Sequence, residues 1–158
     1  MHKPSQTLEA AAPTLSSGAS GGTACFDVRV IGRVESPLRS LADAPKQGAE
    51  GVPLSVLVFQ PSVEEALRSV RAGDTLLLFT WLDRADRPVL QVHPRDDRTK
   101  PLHGVFSTRS PHRPNPIGLH RVTVVAILDP LRFQVRNLEA LDHTPIIDVK
   151  AMLEGMLE

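Results

Sequence analysis

The stretch GVFSTRSPHRPNPIGLHRV, residues 104–122, sets Arg109, Arg113 and Arg121 among Pro111, Pro114 and Pro116. Each proline fixes a backbone φ and removes a donor, while Gly104 and Gly118 permit close approaches that a side chain forbids. A hydrophobic core has no use for that combination. Forked guanidinium groups on a chain stiffened in advance suit carboxylate, phosphate or nucleotide ligands, so the stretch reads as a preorganised binding loop. The wider window from Arg84 to Arg121 holds eight lysines and arginines against three acids, Asp86, Asp96 and Asp97, within a chain of zero net charge. His93, His103, His112 and His120 fall in the same window, so its charge rises on mild acidification. An RNA-backbone surface and an ordinary solvated loop face both account for such a window.

Other chemistries find less support. The histidine spacings match neither a helical HxxxH pair nor a structural zinc pattern, so no metal is expected. Ser107 and Ser110 lack a GxSxG elbow, and the lone Cys25 stands beside the N-terminal segment; covalent catalysis is not expected. Neither a GxGxxG turn nor a Walker loop is present, so a nucleotide would need another cradle. The segment NLEALDHTP, residues 137–145, places Glu139 and Asp142 beside a Thr-Pro turn. Either carboxylate can accept hydrogen bonds from a ribose or an amine, and an Asx-type turn closed by Asp142 and Thr144 is the plainer reading.

These residues need a frame, and the pattern supplies strands. Phe26, Val28 and Val30 alternate with polar neighbours, predicting a first strand over 26–31. Residues 35–51 read as a long loop with APKQG at its centre. Residues 52–59 form an apolar, β-branched run suited to a buried strand. Ser62 followed by Glu65 reads as a capping box opening a helix that Gly73 stops. Further strands are predicted over 76–81, 89–92, 122–128, 131–138 and 146–149. Many short strands with so little helix predict a mainly β fold, a single-domain antiparallel β-barrel with one or two short helices. Residues 1–24, poor in large apolar side chains, are expected to be a flexible N-terminal tail, leaving 25–158 as the barrel domain.

Composition narrows the setting. The 158 residues suit one domain with a sizeable core. With 18 basic and 18 acidic residues no global field announces nucleic acid or membrane, so any such partner is met locally. A single cysteine excludes an internal disulfide and fits a reducing cytoplasm. No run is apolar and long enough to span a bilayer, and no apolar segment of the secretory kind follows His2 and Lys3. A cytoplasmic protein without a membrane partner is expected.

Four strings together resemble the TsaA/TrmO family: VIGRVESPL at 30–38, APKQG at 44–48, RSPHRPNPIGL at 109–119 and LDHTPIIDVK at 141–150. The resemblance covers about residues 26–153. It implies an antiparallel β-barrel, a homodimer, S-adenosylmethionine as cofactor, and methylation of N6 of threonylcarbamoyl-adenosine beside the tRNA anticodon. Carried onto this chain, it implies cofactor contacts from Pro45, Lys46 and Gln47, from Arg109 and Leu119, and from Glu139, Ala140, Leu141 and Asp142. Lys46 stands where the family often has Arg, which keeps the charge and loses the planar fork. The characterised bacterial methyltransferases have a histidine after the 76–79 strand, where this chain aligns Leu82 or Asp83; His93 is a candidate substitute. The resemblance implies a short form of the family, in which the C-terminal domain of longer members is not expected.

On this reading Asp142 is the candidate catalytic residue, accepting the proton that a carbamoylated nitrogen must lose. Arg95, Arg98 and Arg113, with Asn115, are the candidate contacts to tRNA phosphates or to the threonyl carboxylate. The prolines are expected to hold Arg109 toward the cofactor and Arg113 toward the acceptor. Two rivals stand beside it: a noncatalytic barrel that binds S-adenosylmethionine or RNA, and a methyltransferase acting on another RNA or on a small molecule.

Overall fold

The computed structural model describes residues 24–40 and 52–152. Within them, six strands close into an antiparallel barrel: β1 (Gly32–Glu35), β2 (Ser55–Phe59), β3 (Thr75–Trp81), β6 (Ile117–Asp129), β7 (Arg132–Arg136) and β8 (Pro145–Ala151). Their order around the barrel is β1-β2-β7-β6-β3-β8, with β8 returning to β1. The short strands β4 (Gln91–Val92) and β5 (His103–Gly104) form a separate two-stranded pair. One turn of helix, α1 (Glu64–Leu67), follows a 3-10 turn over Pro61–Val63.

Period-two alternation builds this frame. Along β3, Leu76, Leu78 and Thr80 point inward, and opposite them on β6 lie Val122, His120 and Gly118. Val34, Leu57, Phe59, Phe133, Val135 and Ile146 complete the interior. The rings of Phe59 and Phe133 meet edge to face at 5.5 Å. Side chains therefore fill the barrel, as expected for a small one, and ligand contacts belong to its mouth and loops.

Four local expectations are corrected. The first strand is β1 at Gly32–Glu35, not 26–31, and Phe26, Val28 and Val30 are exposed. The pairing partners decide this: the Ile31 amide donates to Ile146 O, and Gly32 sits against Phe59 so closely that a Cβ would meet Val58 O. The capping box does not form, because Pro61 opens a 3-10 turn one residue early and places Ser62 inside it. Gly73, at φ 99°, shapes the turn into β3 instead of stopping the helix, and its amide donates to Val124 O. Finally, β6 begins at Ile117 instead of residue 122, so the last six residues of the 104–122 stretch are strand.

Candidate functional site

The proline-rich loop is held by hydrogen bonds as well as by its prolines. Val105–Ser107 forms a 3-10 turn, and Arg113 folds back onto it. Its Nε donates to Ser110 O at 2.8 Å, and its Nη2 donates to Thr108 O at 2.8 Å and Val105 O at 3.2 Å. Arg113 is thus committed to the backbone of its own loop. The far end is tied down by the Leu82 amide donating to Pro116 O at 2.8 Å, and by Arg87, which donates to Pro114 O and lies 5.4 Å from the Trp81 ring centre. Arg109 is exposed and turns to the strand, its Nη2 donating to Leu119 O at 3.0 Å. Leu119 itself is 44% exposed, an apolar surface beside a guanidinium.

Behind Leu119, strand parity sends His120 into the barrel, where it is 6% exposed. Its Nδ1 lies 3.0 Å from Glu139 Oε1 and its Nε2 lies 2.9 Å from Thr80 Oγ1. An ionised carboxylate only accepts hydrogen bonds, so Nδ1 carries the proton and donates. Burial pushes the Glu139 carboxyl up, but the His120 hydrogen bond, the charge of that ring, its own backbone amide and the nearby Arg109 together hold it below the ordinary glutamate value. Glu139 is therefore an anionic group, half-withdrawn from water, near the Arg109 cation. Ala140 and Leu141 are buried behind it.

Asp142 does different work. Its Oδ1 accepts the Ser36 amide at 3.0 Å, its own amide donates to Leu38 O at 2.7 Å, and the His143 amide donates to Val34 O at 2.8 Å. The Ser36 hydroxyl in turn accepts the Leu38 amide at 3.1 Å. Asp142 thus bolts the β7–β8 connection to the chain leaving β1. The Ser36 amide holds its carboxyl below the usual aspartate value against a smaller effect of burial, helped by His143 and Arg39. His143 Nε2 approaches Oδ2 at 3.4 Å. Both Asn137 and His143, which bracket this connection, adopt positive φ.

The remaining candidates are dispersed. Leu82 is half-buried against Gly118 and Asp83 is exposed. Asn115 is exposed and its carbonyl accepts the Ile117 amide. Arg95 and Arg98 are exposed in the β4–β5 connection, where Arg95 and Asp96 are consecutive residues at positive φ. His93 binds Lys100 O in that same connection, and the imidazole beside Glu139 is His120. Pro45, Lys46 and Gln47 lie outside the described residues. The structure thus gathers Arg109, Leu119, Leu82 and Glu139 around one end of β6, with Asp142 next along the chain. It adds His120 and Thr80, which composition alone places among loop histidines and strand filler; the signal that reveals them is alternation continued back from Val122. Among the described residues, no group of three histidines, cysteines or acids is arranged to hold a metal, and no helix is long and apolar enough to cross a membrane. A cavity of about 290 Å³ between α1 and the β6–β7 turn shares no residue with the Arg109–Glu139 cluster.

Residues 33–156 match the model of the tRNA-methyltransferase O N-terminal domain. The chain belongs to this family. Among its relatives, a probable S-adenosyl-L-methionine-binding protein of Methanothermobacter thermautotrophicus is 40% identical over 129 residues, 82% of this chain and 91% of that protein. Another protein so named, from Archaeoglobus fulgidus, is 40% identical over 125 residues, 78% of this chain and 33% of its own length. The barrel also superimposes on a crystal structure of TrmO from Pseudomonas aeruginosa with a TM-score of 0.69 at 24% identity, over 88% of this chain and 60% of that one. The chain thus spans about a third of the Archaeoglobus relative and three fifths of the Pseudomonas structure. The antiparallel barrel expected from the strand pattern is the fold of the TrmO family.

Proposed function

We propose that this chain binds S-adenosylmethionine around Arg109, Leu119 and Glu139 and methylates N6 of threonylcarbamoyl-adenosine next to the tRNA anticodon. The observation that carries the binding part is Glu139: a half-buried carboxylate kept ionised between His120 and Arg109, with Leu119 exposed on the residue before His120. That donor set fits a nucleoside bearing an amino-acid tail. Glu139 takes a hydroxyl or ammonium, Arg109 takes a carboxylate, and Leu119 and Leu82 cover an apolar ring face. Pro45, Lys46, Gln47, Ala140, Leu141 and Asp83 complete the cofactor contacts in this reading. The names of the relatives, S-adenosyl-L-methionine-binding proteins, support the same assignment.

When bound, the cofactor supplies a methyl group activated by a sulfonium. The protein contributes orientation, which can account for most of such a rate enhancement, and a destination for the proton that the nitrogen sheds. Asp142 is that acceptor in this reading, with its support in the Ser36 amide that keeps it ionised and fixed. Arg95, Arg98 and Asn115 meet the tRNA, and Arg113 contributes by shaping the loop that presents Asn115 and Arg109. The reading includes a homodimer working in the cytoplasm.

Titration calorimetry with S-adenosylmethionine tests the first part: saturable binding is expected, and its absence would remove the methyltransferase reading. Mass spectrometry of tRNA nucleosides from a deletion strain tests the second. Loss of methylated threonylcarbamoyl-adenosine is expected; an unchanged level would remove the tRNA assignment. A second reading, a noncatalytic S-adenosylmethionine-binding barrel, draws on the two carboxylates: Glu139 and Asp142 are both held more acidic than usual, so neither is a strong base. Tight cofactor binding without methyl transfer to purified tRNA would favour it.

A further inference from the structure

Thr80, His120 and Glu139 form a chain of polar groups that runs from the barrel interior to its mouth. Thr80 is 0% exposed and His120 6%. A buried imidazole in an otherwise apolar barrel is unfavourable unless both ring nitrogens are satisfied, and here both are, at 2.9 and 3.0 Å. The sequence makes room for it: a Cβ on Gly118 would stand 2.7 Å from His120 Nε2 and nearer still to Thr80 Oγ1. Only one carboxylate oxygen of Glu139, Oε1, is engaged by the ring.

We infer that His120, backed by Thr80, is a positioning residue that fixes the Glu139 carboxylate so that Oε2 presents a set acceptor to a hydroxyl or ammonium of the cofactor. The inference rests on the cofactor site proposed above. The hydroxyl of Thr80 gives the device a particular property. When Nε2 is unprotonated the hydroxyl donates to it; when Nε2 carries a proton the hydroxyl turns and accepts. The Nδ1–H to Glu139 bond persists in both cases, so the carboxylate stays in place whatever the charge of the ring. Among the described residues, the charged groups acting on this chain are Arg109 and Glu139 itself; Leu78, Gly118 and Leu82, which lie against it, carry no charge.

The relay can be read without any ligand. In the apo protein, nitrogen NMR of the His120 ring is expected to show the Nδ1–H tautomer at high pH, and carbon NMR of Glu139 a titration below that of an ordinary glutamate. His120→Leu should return Glu139 toward the ordinary value and weaken S-adenosylmethionine binding about tenfold, about 1.4 kcal/mol. Thr80→Val, which keeps the shape but leaves the buried Nε2 unpaired, should weaken it severalfold and lower the melting temperature by the cost of one unsatisfied buried group, about 1–3 kcal/mol, and, measured well below that temperature, decides the matter if His120→Leu does not fold. An Nε2–H tautomer, or wild-type affinity in a folded Thr80→Val protein together with an unshifted Glu139 titration, would overturn the inference. If the wild type binds no S-adenosylmethionine while the apo signals behave as described, the relay stands and the cofactor reading falls. An unchanged affinity in Glu139→Ala would instead show that the cofactor does not use this carboxylate.

Discussion

Arg109 and Arg113 are four residues apart in one loop, and their surroundings assign them opposite jobs. Arg113 donates to three carbonyls of the loop, whereas Arg109 is exposed and anchored through a single bond to Leu119 O. Arg113→Ala should therefore destabilise the protein by about 1.5–3 kcal/mol, the scale of hydrogen bonds to a charged group, and speed proteolysis between residues 105 and 116. Arg109→Ala should leave the melting temperature nearly unchanged and weaken S-adenosylmethionine binding. Equal melting temperatures for the two variants would contradict this division. The acids predict a pH profile. Both Glu139 and Asp142 have folded-state pKa values below their unfolded ones, so the stability they confer is complete above the unfolded values and is lost as pH falls through the folded ones. Melting temperature should drop through the acid range, and the drop should be shallower in Asp142→Asn and Glu139→Gln. Motif strings make Arg109, Leu119, Glu139 and Asp142 legible in the sequence, because few other roles need those residues in that order. The clamp made by Arg113 is not legible there, since it depends on where a guanidinium turns.

At the scale of elements, the start of β6 decides the site. Beginning the strand at Ile117 pairs Gly118 with Thr80 and His120 with Leu78, which turns a histidine that reads as part of a basic loop into an interior group. Gly118→Ala tests that geometry. The added methyl would press on Thr80 and His120, and overpacking of this kind typically destabilises by about 1–3 kcal/mol. The variant should also lose cofactor affinity beyond what its reduced stability explains, measured by calorimetry well below its melting temperature. Retained affinity would mean that the relay tolerates displacement. The shift of the first strand has a matching cause. Phe26, Val28 and Val30 alternate as a strand does, but a strand is defined by its neighbours, and it is Gly32 to Glu35 that pair with β2, Gly32 meeting both Phe59 and Ile146. Alternation reveals a half-apolar ribbon; only the partner's register says where it is used. The helix follows the same logic, since Pro61 outweighs the Ser62–Glu65 pattern by setting φ first.

At the scale of the whole molecule, the barrel is closed by the pairing of its first and last strands. Gly32 lies beside Ile146, and Arg33 beside Pro145, so the earliest and latest parts of the fold complete each other. Asp142 reinforces this seam just outside the sheet by holding Ser36 and Leu38. Such a seam matters before the protein ever meets a ligand. Closing it requires the longest loop the domain can make, which is entropically the slowest kind of contact to find. A chain emerging from a ribosome cannot seal its β1 edge until β8 has been made, and until then the apolar faces of β2 and β3 lack their full enclosure. Folding should accordingly finish late, with the seam that Asp142 braces completed only as the last strand arrives.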